Sequence, residues 1–359
     1  MTLLVTGGAG FIGSALVRRV LADDQQLVVN VDKLTYAADS TSIEEFNGNG
    51  RHILCEMDVC NTSALNDVFA EYQPDAVVHL AAESHVDRSL DAPASFISTN
   101  VLGTYSLLEV SLEYWAGLDQ ERQNLFRFIH VSTDEVYGSA TPEQMFSGTD
   151  PYCPNSPYAA SKASADHLVR AWNQSFGLPA ITCNSTNNYG PHQYPEKLIP
   201  LTIAKALSDE AIPVYGDGKH MRDWIHVDDH VEGLLLALKR GTPGHSYLFG
   251  SGQPRCNIDV VNAVCRLLES HAERSSGEAF HSLIRYVTDR PGHDRRYAAD
   301  SSFARKTLQW QPRISFDTGL ERTVLWYLNN PDWWRTTKRN RRGLDRERDS
   351  VMVGEAQVQ

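Results

Sequence analysis

Short apolar runs rich in β-branched residues recur along the first half of the chain, and helix-length segments separate them. Alternation of this kind predicts a parallel sheet with helices on both faces, the doubly wound α/β class. The predicted strands are Leu3–Val5, Leu27–Val31, His52–Met57, Ala76–Leu80, Phe126–Val131 and Ala180–Cys183, and the predicted helices between the first five are Ile12–Ala22, Ala64–Glu71 and Ala92–Trp115.

The rhythm changes after Gly190, where proline becomes frequent and the strands shorten. Helices are predicted among loops at Val231–Lys239, Ile258–Glu269 and Gly319–Asn329. We therefore expect a Rossmann-type domain over residues 1–189, interleaved with later segments, and a smaller α/β substrate-binding lobe over 190–330. The basic, apolar-poor stretch 335–359 predicts a disordered tail.

Charge and composition narrow the classes of function that the chain can have. The chain has 33 Lys and Arg against 45 Asp and Glu, a formal charge of −12 that argues against a nucleic-acid partner. It has no apolar run of the roughly 18 residues that a membrane span needs, and no basic leader precedes the first strand. The six cysteines form no CxxC pair, so we expect reduced thiols, no metal site and a cytoplasmic location.

A glycine-rich turn directly follows the first predicted strand. Gly7, Gly10 and Gly13 lie where a strand passes into a helix, a position at which backbone N–H groups can hold a pyrophosphate. The second strand ends at Asp32, 19 residues after Gly13. A carboxylate there can accept hydrogen bonds from an adenosine ribose and repel a 2′-phosphate, which predicts NAD in preference to NADP.

Two further groups predict chemistry. Tyr158 and Lys162 are four residues apart and share a helix face, so the ammonium can favour the phenolate. Ser156 is the expected N-cap of that helix. Asp134 and Glu135 follow the fifth strand, where doubly wound sheets bind ligands. A β-elimination needs one group to remove a proton and another to supply one, and a carboxyl pair provides both.

These motifs together resemble the nucleotide-sugar dehydratases of the extended short-chain dehydrogenase/reductase superfamily, and among them the dTDP-glucose 4,6-dehydratase family, over about residues 1–330. The matching segments are TGGAGFIG at 6–13, VDKLTYA at 31–37, LAAESHVDRS at 80–89, STDEVYG at 132–138, SPYAASKA at 156–163, NNYGP at 187–191, PEKLIP at 195–200, RDW at 222–224 and DRPGHDRRY at 289–297. The chain departs from the family pattern at Gly148, Thr186, Ala38–Asp39 and Leu248–Ser251. These loop departures leave the nucleobase preference open.

The resemblance implies roles for individual residues. Asp58 and Val59 would flank the adenine, and the other cofactor-lining residues would be Phe11, Ile12, Lys33, Thr35, Leu80, Ala81, Ala82, Tyr158 and Lys162. The nucleotide diphosphate and sugar would contact Ser84, Thr133, Asn188, Glu196, Lys197, Arg222, Asn257, Arg290 and His293. An acidic chain must gather basic side chains locally to hold a pyrophosphate, and Lys197, Arg222, Arg290 and His293 would do so.

The activity that the resemblance implies is dehydration of a nucleotide hexose, dTDP-glucose, to its 4-keto-6-deoxy derivative with retained NAD. Thr133, Tyr158 and Lys162 would serve the oxidation at C4, Glu135 would act as base at C5, and Asp134 as acid at C6. Two alternatives remain at this stage: a nucleotide-sugar 4-epimerase, which has no use for the carboxyl pair, and a non-catalytic NAD-binding scaffold. A homodimer through Ala92–Trp115 and Tyr158–Phe176 is expected from the family.

Overall fold

The computed structural model describes residues 1–22, 25–274 and 276–336. The strands are β1 (Thr2–Thr6), β2 (Leu27–Asp32), β3 (His52–Glu56), β4 (Ala76–His79), β5 (Arg127–Thr133), β6 (Ala180–Ser185), β7 (Asn187–Tyr189), β8 (Ile212–Tyr215), β9 (Met221–Arg222), β10 (Trp224–His226), β11 (Ser246–Phe249), β12 (Arg255–Cys256) and β13 (Ile284–Val287). The tail predicted at 335–359 falls outside the described residues from position 337 onward.

Seven of these strands form one parallel sheet in the order β11-β6-β5-β4-β1-β2-β3. All residues of β4 and β6 are buried, as parallel strands covered on both faces require. The predicted doubly wound α/β fold is therefore confirmed. The order reverses between β1 and β4, so the carboxyl ends of these neighbours border the crevice in which such sheets bind ligands.

Helices cover both faces of the sheet. They are α1 (Phe11–Leu21), α2 (Ser40–Asn47), α3 (Thr62–Tyr72), α4 (Val86–Asp91), α5 (Pro93–Phe96), α6 (Gly103–Ala116), α7 (Gln120–Leu125), α8 (Pro157–Phe176), α9 (Leu198–Leu207), α10 (Val227–Arg240), α11 (Asn257–His271), α12 (Ser302–Leu308) and α13 (Phe316–Asn329). The N-cap prediction for α8 is confirmed, because the Ser156 hydroxyl accepts a hydrogen bond from the Ala159 amide at 3.1 Å.

The single helix predicted over Ala92–Trp115 is wrong in its first half. A π-helical segment, Ile97–Leu102, separates α5 from α6. Its Asn100 side chain donates to the Glu83 carbonyl at 3.0 Å and to the Ser161 hydroxyl at 2.8 Å, which ties the segment to α8. π-Helical turns often mark functional sites, and Thr99 of this segment borders the cavity described below.

The later half of the chain contributes to two layers. Strand β11 extends the large sheet beside β6, and α10 packs beside α1 on the same core. A second hydrophobic cluster gathers α9, α11 and α13 around buried side chains such as Val261 and Tyr327. Three two-stranded sheets, β10-β7, β12-β9 and β13-β8, lie in this region. The large sheet and the second cluster thus form two walls, with the site between them.

Candidate active site

The turn after β1 has the form of a phosphate cradle. Gly7 adopts a left-handed φ of 74°, and a Cβ there would lie 2.7 Å from the Ala81 amide nitrogen. A Cβ on Gly13 would lie 2.0 Å from the Gly7 carbonyl oxygen, so the first turn of α1 can approach the strand only without a side chain. The cradle therefore exposes backbone at the N-terminus of α1, as pyrophosphate binding requires.

Asp32, at the end of β2, is held beside this cradle. Its carboxylate accepts hydrogen bonds from the Ala9 and Leu34 amides, each at 2.9 Å. Burial raises the pKa of Asp32, and the two amides oppose that rise. The carboxylate is thus fixed at the position where a ribose would be recognised.

Lys33 and Asp58 contact one another at the side of the cradle. The Lys33 ammonium lies 3.4 Å from the Asp58 carboxylate and donates to the Thr99 hydroxyl at 3.2 Å. Lys33 borders the cavity together with Val59, whereas Asp58 lies outside the lining formed by the described residues. Asp58 thus lies beside two residues that border the cavity, Lys33 and Val59.

The carboxyl pair lies just beyond the end of β5. Asp134 and Glu135 open a 3₁₀ turn, Asp134–Tyr137, whose N-cap is Thr133. The Thr133 hydroxyl accepts from the Glu135 amide at 3.2 Å and lies 3.3 Å from Asp134 Oδ1. The other Asp134 carboxyl oxygen has no hydrogen-bond partner among the described residues.

The neighbours of the two carboxyls shift their pKa values differently. Burial raises the pKa of Asp134 well above its usual value, and the neighbouring Glu135 and Asp223 raise it further. Burial also raises the pKa of Glu135, but Arg290, Arg222 and Lys197 oppose that rise. When the pKa values of two carboxyls are shifted apart in this way, the pair can hold one proton on Asp134 and a charge on Glu135. Such a pair can act as an acid and a base.

Tyr158 and Lys162 lie on the first turns of α8, facing the carboxyl pair. The Tyr158 side chain is hydrogen-bonded to that of Thr133, and its pKa is raised by burial and by Glu135. The Lys162 ammonium donates to the Val131 carbonyl at 2.8 Å, and burial lowers the pKa of Lys162 to about 8. The expected Tyr-Lys pair is present, with the lysine anchored on β5.

Basic side chains converge from the opposite wall. Arg222 is 4% exposed, donates to the Asp294 carbonyl at 2.9 Å and lies over the Tyr297 ring. Arg290 lies 3.1 Å from the Asp87 carboxylate, and Lys197 donates to the Ser84 carbonyl at 2.6 Å. These cations sit on a wall of an otherwise acidic chain, which suits a diphosphate.

His293 differs from its expected role as a basic group. Burial and the nearby Arg290 lower the pKa of His293 to about 3, so its ring is neutral at neutral pH. The ring hydrogen-bonds to the Asp289 carboxylate at 2.7 Å and stacks on His220 with centroids 3.7 Å apart. His293 therefore offers shape and hydrogen bonding to a ligand but no positive charge.

Among the remaining predicted substrate residues, Asn188 and Glu196 have partners within the protein. Asn188 donates to the Ser185 hydroxyl, and its amide oxygen accepts from His230 Nδ1 at 2.9 Å. The nearly buried Glu196 accepts from the Tyr36 hydroxyl at 3.4 Å. Asn257 begins α11 and borders the same space.

One cavity of about 780 Å³ brings these residues together. It is lined by Gly7, Gly10, Phe11, Ile12, Gly13, Asp32, Lys33, Thr35, Val59, Leu80, Ala81, Ala82, Ser84, Thr133, Asp134, Glu135, Tyr158, Lys162, Asn188, Glu196, Lys197, Arg222, Asn257, Arg290 and His293. The cavity is one continuous cleft, which a dinucleotide and a second ligand would share.

Sequence reasoning missed Tyr297, which also lines the cavity. Its hydroxyl donates to the Asp294 carboxylate at 2.7 Å and lies 3.5 Å from Glu135 Oε2. Tyr297 ends the DRPGHDRRY segment, so proximity to two assigned basic residues was the available signal. Only the fold shows that this segment returns to the carboxyl pair.

A phosphate cradle after β1, an acceptor carboxylate after β2 and a Tyr-Lys pair on the helix after β5 define the site of an extended short-chain dehydrogenase/reductase. The family model described as GDP-mannose 4,6 dehydratase matches residues 4–323. The chain is 51% identical over 345 residues to a dTDP-glucose 4,6-dehydratase of Escherichia coli, covering 93% of this chain and 95% of that one. It is 50% identical over 347 residues to that of Neisseria meningitidis serogroup B, covering 96% and 98%. The chain belongs to the dTDP-glucose 4,6-dehydratase family.

Solved structures agree with this assignment. The dTDP-glucose 4,6-dehydratase DesIV of Streptomyces venezuelae, with NAD and TYD bound, superposes with a TM-score of 0.86 at 40% identity, covering 94% of this chain and all of that one. A UDP-glucose 4-epimerase of Thermotoga maritima has a TM-score of 0.80 at 28% identity, covering 92% and 99%. Among the described residues, no helix is long and apolar enough to cross a membrane.

The protonated state of Asp134 has a measurable consequence for stability. An unfolded Asp ionises near pH 4, whereas the folded protein retains the proton, so the free energy of unfolding falls as pH rises above about 4. Asp134→Asn removes this dependence, and each unit of pKa shift corresponds to about 1.4 kcal/mol. We expect the variant to be more stable than the wild type at pH 7, with a gap that closes toward pH 4.

Denaturant unfolding between pH 4 and 8 measures this gap. Glu143→Gln, at an exposed position, is the matched control and should follow the wild type at every pH. A wild type that gains stability relative to Asp134→Asn as pH rises would contradict a protonated Asp134.

Proposed function

We propose that this chain catalyses the NAD-dependent dehydration of dTDP-glucose to dTDP-4-keto-6-deoxyglucose and water. The observation that carries the proposal is the pair formed by the buried Asp134 and the half-buried Glu135, which share one cavity with Tyr158 and Lys162. The relatives named as dTDP-glucose 4,6-dehydratases, at about half identity over nearly the whole chain, support the same activity.

The cavity fits the cofactor at its cradle end. Gly7, Gly10 and Gly13 border the cavity without side chains, so their backbone is open to a pyrophosphate, and Asp32 borders the same cavity. Thr35, Val59 and Ala81 would line the adenosine and nicotinamide portions. Bound NAD would supply the hydride chemistry, accepting hydride from sugar C4 and returning it at C6.

The chain's own residues handle the protons of the oxidation. Tyr158, bonded to Thr133, would take the proton of the C4 hydroxyl. Lys162 would favour the phenolate by its charge. The resulting C4 carbonyl acidifies the C5 proton, which prepares the elimination.

The carboxyl pair would then perform the elimination. Glu135 takes the C5 proton, and Asp134 gives its proton to the departing C6 hydroxyl, so that water leaves. Glu135 later returns a proton to C5. Positioned proton transfer of this kind contributes about 10² to 10⁴ in rate. A 4-epimerase would need neither step, which is why the carboxyl pair favours the dehydratase.

The nucleotide would lie along the wall that carries the cations. Arg222, Arg290 and Lys197 would hold the diphosphate, while His293 would pack beside it as a neutral ring. Ser84, Asn188, Glu196 and Asn257 would contact the remaining polar groups. Asp58, paired with Lys33, would flank the adenine of the cofactor together with Val59.

A turnover panel tests the proposed activity. With dTDP-, UDP-, GDP- and CDP-glucose, we expect dTDP-glucose to give a 4-keto-6-deoxy product, detected by its alkali-dependent ultraviolet absorbance and by loss of water in mass spectrometry. Formation of a C4 epimer, or no turnover with any of the four, would refute the proposal.

Glu135→Gln should separate binding from elimination. The amide keeps the shape of the site but cannot take the C5 proton, so we expect product formation to fall by about 10² to 10⁴. The affinity for dTDP should stay within a few fold, measured by calorimetry, and Glu143→Gln serves as control. Near-normal dehydration by Glu135→Gln would remove Glu135 from the role of base.

Asp32→Ala should change cofactor choice. Loss of the ribose acceptor weakens NAD binding, and loss of the negative charge relieves repulsion of a 2′-phosphate, so the NADP/NAD affinity ratio should rise. Equilibrium binding of both cofactors measures the ratio. An unchanged ratio would show that Asp32 does not contact the ribose.

A homodimer is part of the proposal. Large apolar side chains are exposed along α6, α8 and the π-helical segment, among them Ile97, Leu102, Tyr105 and Phe176. An exposed patch of this kind marks an interaction surface. We expect twice the mass of one chain in sedimentation equilibrium and a monomer for Leu102→Glu; a wild-type monomer would contradict it.

The free thiols of the described cysteines suit a cytoplasmic location, which we include in the proposal.

A further inference from the structure

Asp166 is a buried carboxylate that the reaction does not use. It lies on α8, one turn beyond Lys162, and is 3% exposed. Four side chains bond to it: His130 Nε2 at 3.0 Å, the Ser132 hydroxyl at 2.9 Å, the Tyr152 hydroxyl at 2.9 Å and the Asn184 amide at 3.2 Å. A carboxylate can stay ionised inside a protein when its oxygens accept hydrogen bonds in this way.

Two of these partners, Ser132 and Asn184, also connect Asp166 to residues of the active site. Ser132 lies between Val131, whose carbonyl accepts from Lys162, and Thr133. Asn184 donates both to Asp166 and to the Thr133 carbonyl at 3.1 Å. Asp166 therefore joins β5, β6 and α8 directly beneath the Tyr-Lys pair, without lining the cavity itself.

We propose that Asp166 is a positioning residue that keeps Lys162 protonated and in place beneath Tyr158, so that the lysine can favour the phenolate. This inference rests on the proposed function for its catalytic meaning, while its physical content concerns the charge of Lys162 alone. A lysine buried without a counter-charge releases its proton, and Asp166 is the carboxylate placed one helical turn away.

The electrostatic surroundings support this role. The titratable groups on packed elements that interact with Asp166 or Lys162 are His79, His130, Tyr137, Tyr152 and Tyr158. Burial lowers the pKa of both histidines, so they carry no positive charge at neutral pH. Burial also lowers the pKa of Lys162, and the Asp166 carboxylate opposes it. Burial acts to raise the pKa of Asp166, yet the His130 and Ser132 hydrogen bonds hold it below its usual value.

The sign of the effect follows. Without the Asp166 charge, Lys162 loses its proton at lower pH. Asp166 also acts on Tyr158 directly, but it is a smaller contributor there than Glu135 or Asp134. The protonation of Lys162 is therefore the quantity that the test follows. An opposite charge near a titrating group typically shifts its pKa by about 1 to 3 units.

Asp166→Asn tests the proposal, with Tyr152→Phe as matched control because it removes one donor and leaves the charge. Acetic anhydride acylates only neutral amines, so peptide mass spectrometry against pH reports the protonation of Lys162, with exposed Lys239 as internal reference. This readout does not require turnover. A failure of the proposed function would appear in the sugar panel and not here.

In Asp166→Asn, we expect Lys162 to become reactive about 1 to 3 pH units lower than in the wild type. The alkaline limb of kcat/KM should move in the same direction, while Tyr152→Phe should leave both unchanged. Equal reactivity profiles in wild type and Asp166→Asn, or an activity loss of the same factor at every pH, would overturn the proposal. If Asp166→Asn does not fold, Asp166→Glu keeps the charge and must retain the wild-type profile; a profile displaced to lower pH would overturn the proposal.

Discussion

Two adjacent carboxyl groups at the end of one strand are the constraint on which the rest of this structure depends. Asp134 is buried and Glu135 is half-buried after β5, where charge on both at once is unfavourable. The fold resolves the conflict by giving them different neighbours. Asp134 faces Glu135 and Asp223, which favour its neutral form, whereas Arg290, Arg222 and Lys197 favour the charged form of Glu135.

The sheet explains how distant segments meet at this point. In the order β6-β5-β4-β1-β2, the carboxyl ends of five parallel strands share one edge, and each carries a part of the site. β1 leads into the cradle, β2 ends at Asp32, and β5 leads into the carboxyl pair. Segments from the later half of the chain place Arg222 and Arg290 opposite these strand ends. Each element is positioned by packing that lies well outside the cavity.

The local sequence was sufficient to place a site residue where its chemistry coincides with a local backbone pattern. The glycine spacing, the strand ending in Asp32 and the helix opening at Ser156 each carry a local pattern, and the structure places them as that pattern predicts. The π-helical turn at Ile97–Leu102 was missed, because it arises from the tertiary bonds of Asn100 and leaves the apolar periodicity almost intact.

Properties set by long-range contact could not be read from the chain. His293 was grouped with the basic residues, and only the fold shows that burial and the nearby Arg290 lower its pKa. Tyr297 and Asp166 acquire their meaning from partners on other elements. The placement of Asp58 against the adenine came from the resemblance and stays a prediction, while the structure shows its ion pair with Lys33.

The central claim is that the pair holds one proton on Asp134 and a charge on Glu135. Infrared difference spectroscopy of the protein at neutral pH measures this directly, through the carbonyl-stretching band of a protonated carboxylic acid. The account predicts that this band is present in the wild type, disappears in Asp134→Asn and persists in Glu135→Gln. A band that persists in Asp134→Asn and disappears in Glu135→Gln would reverse the acid and base assignments and contradict the account.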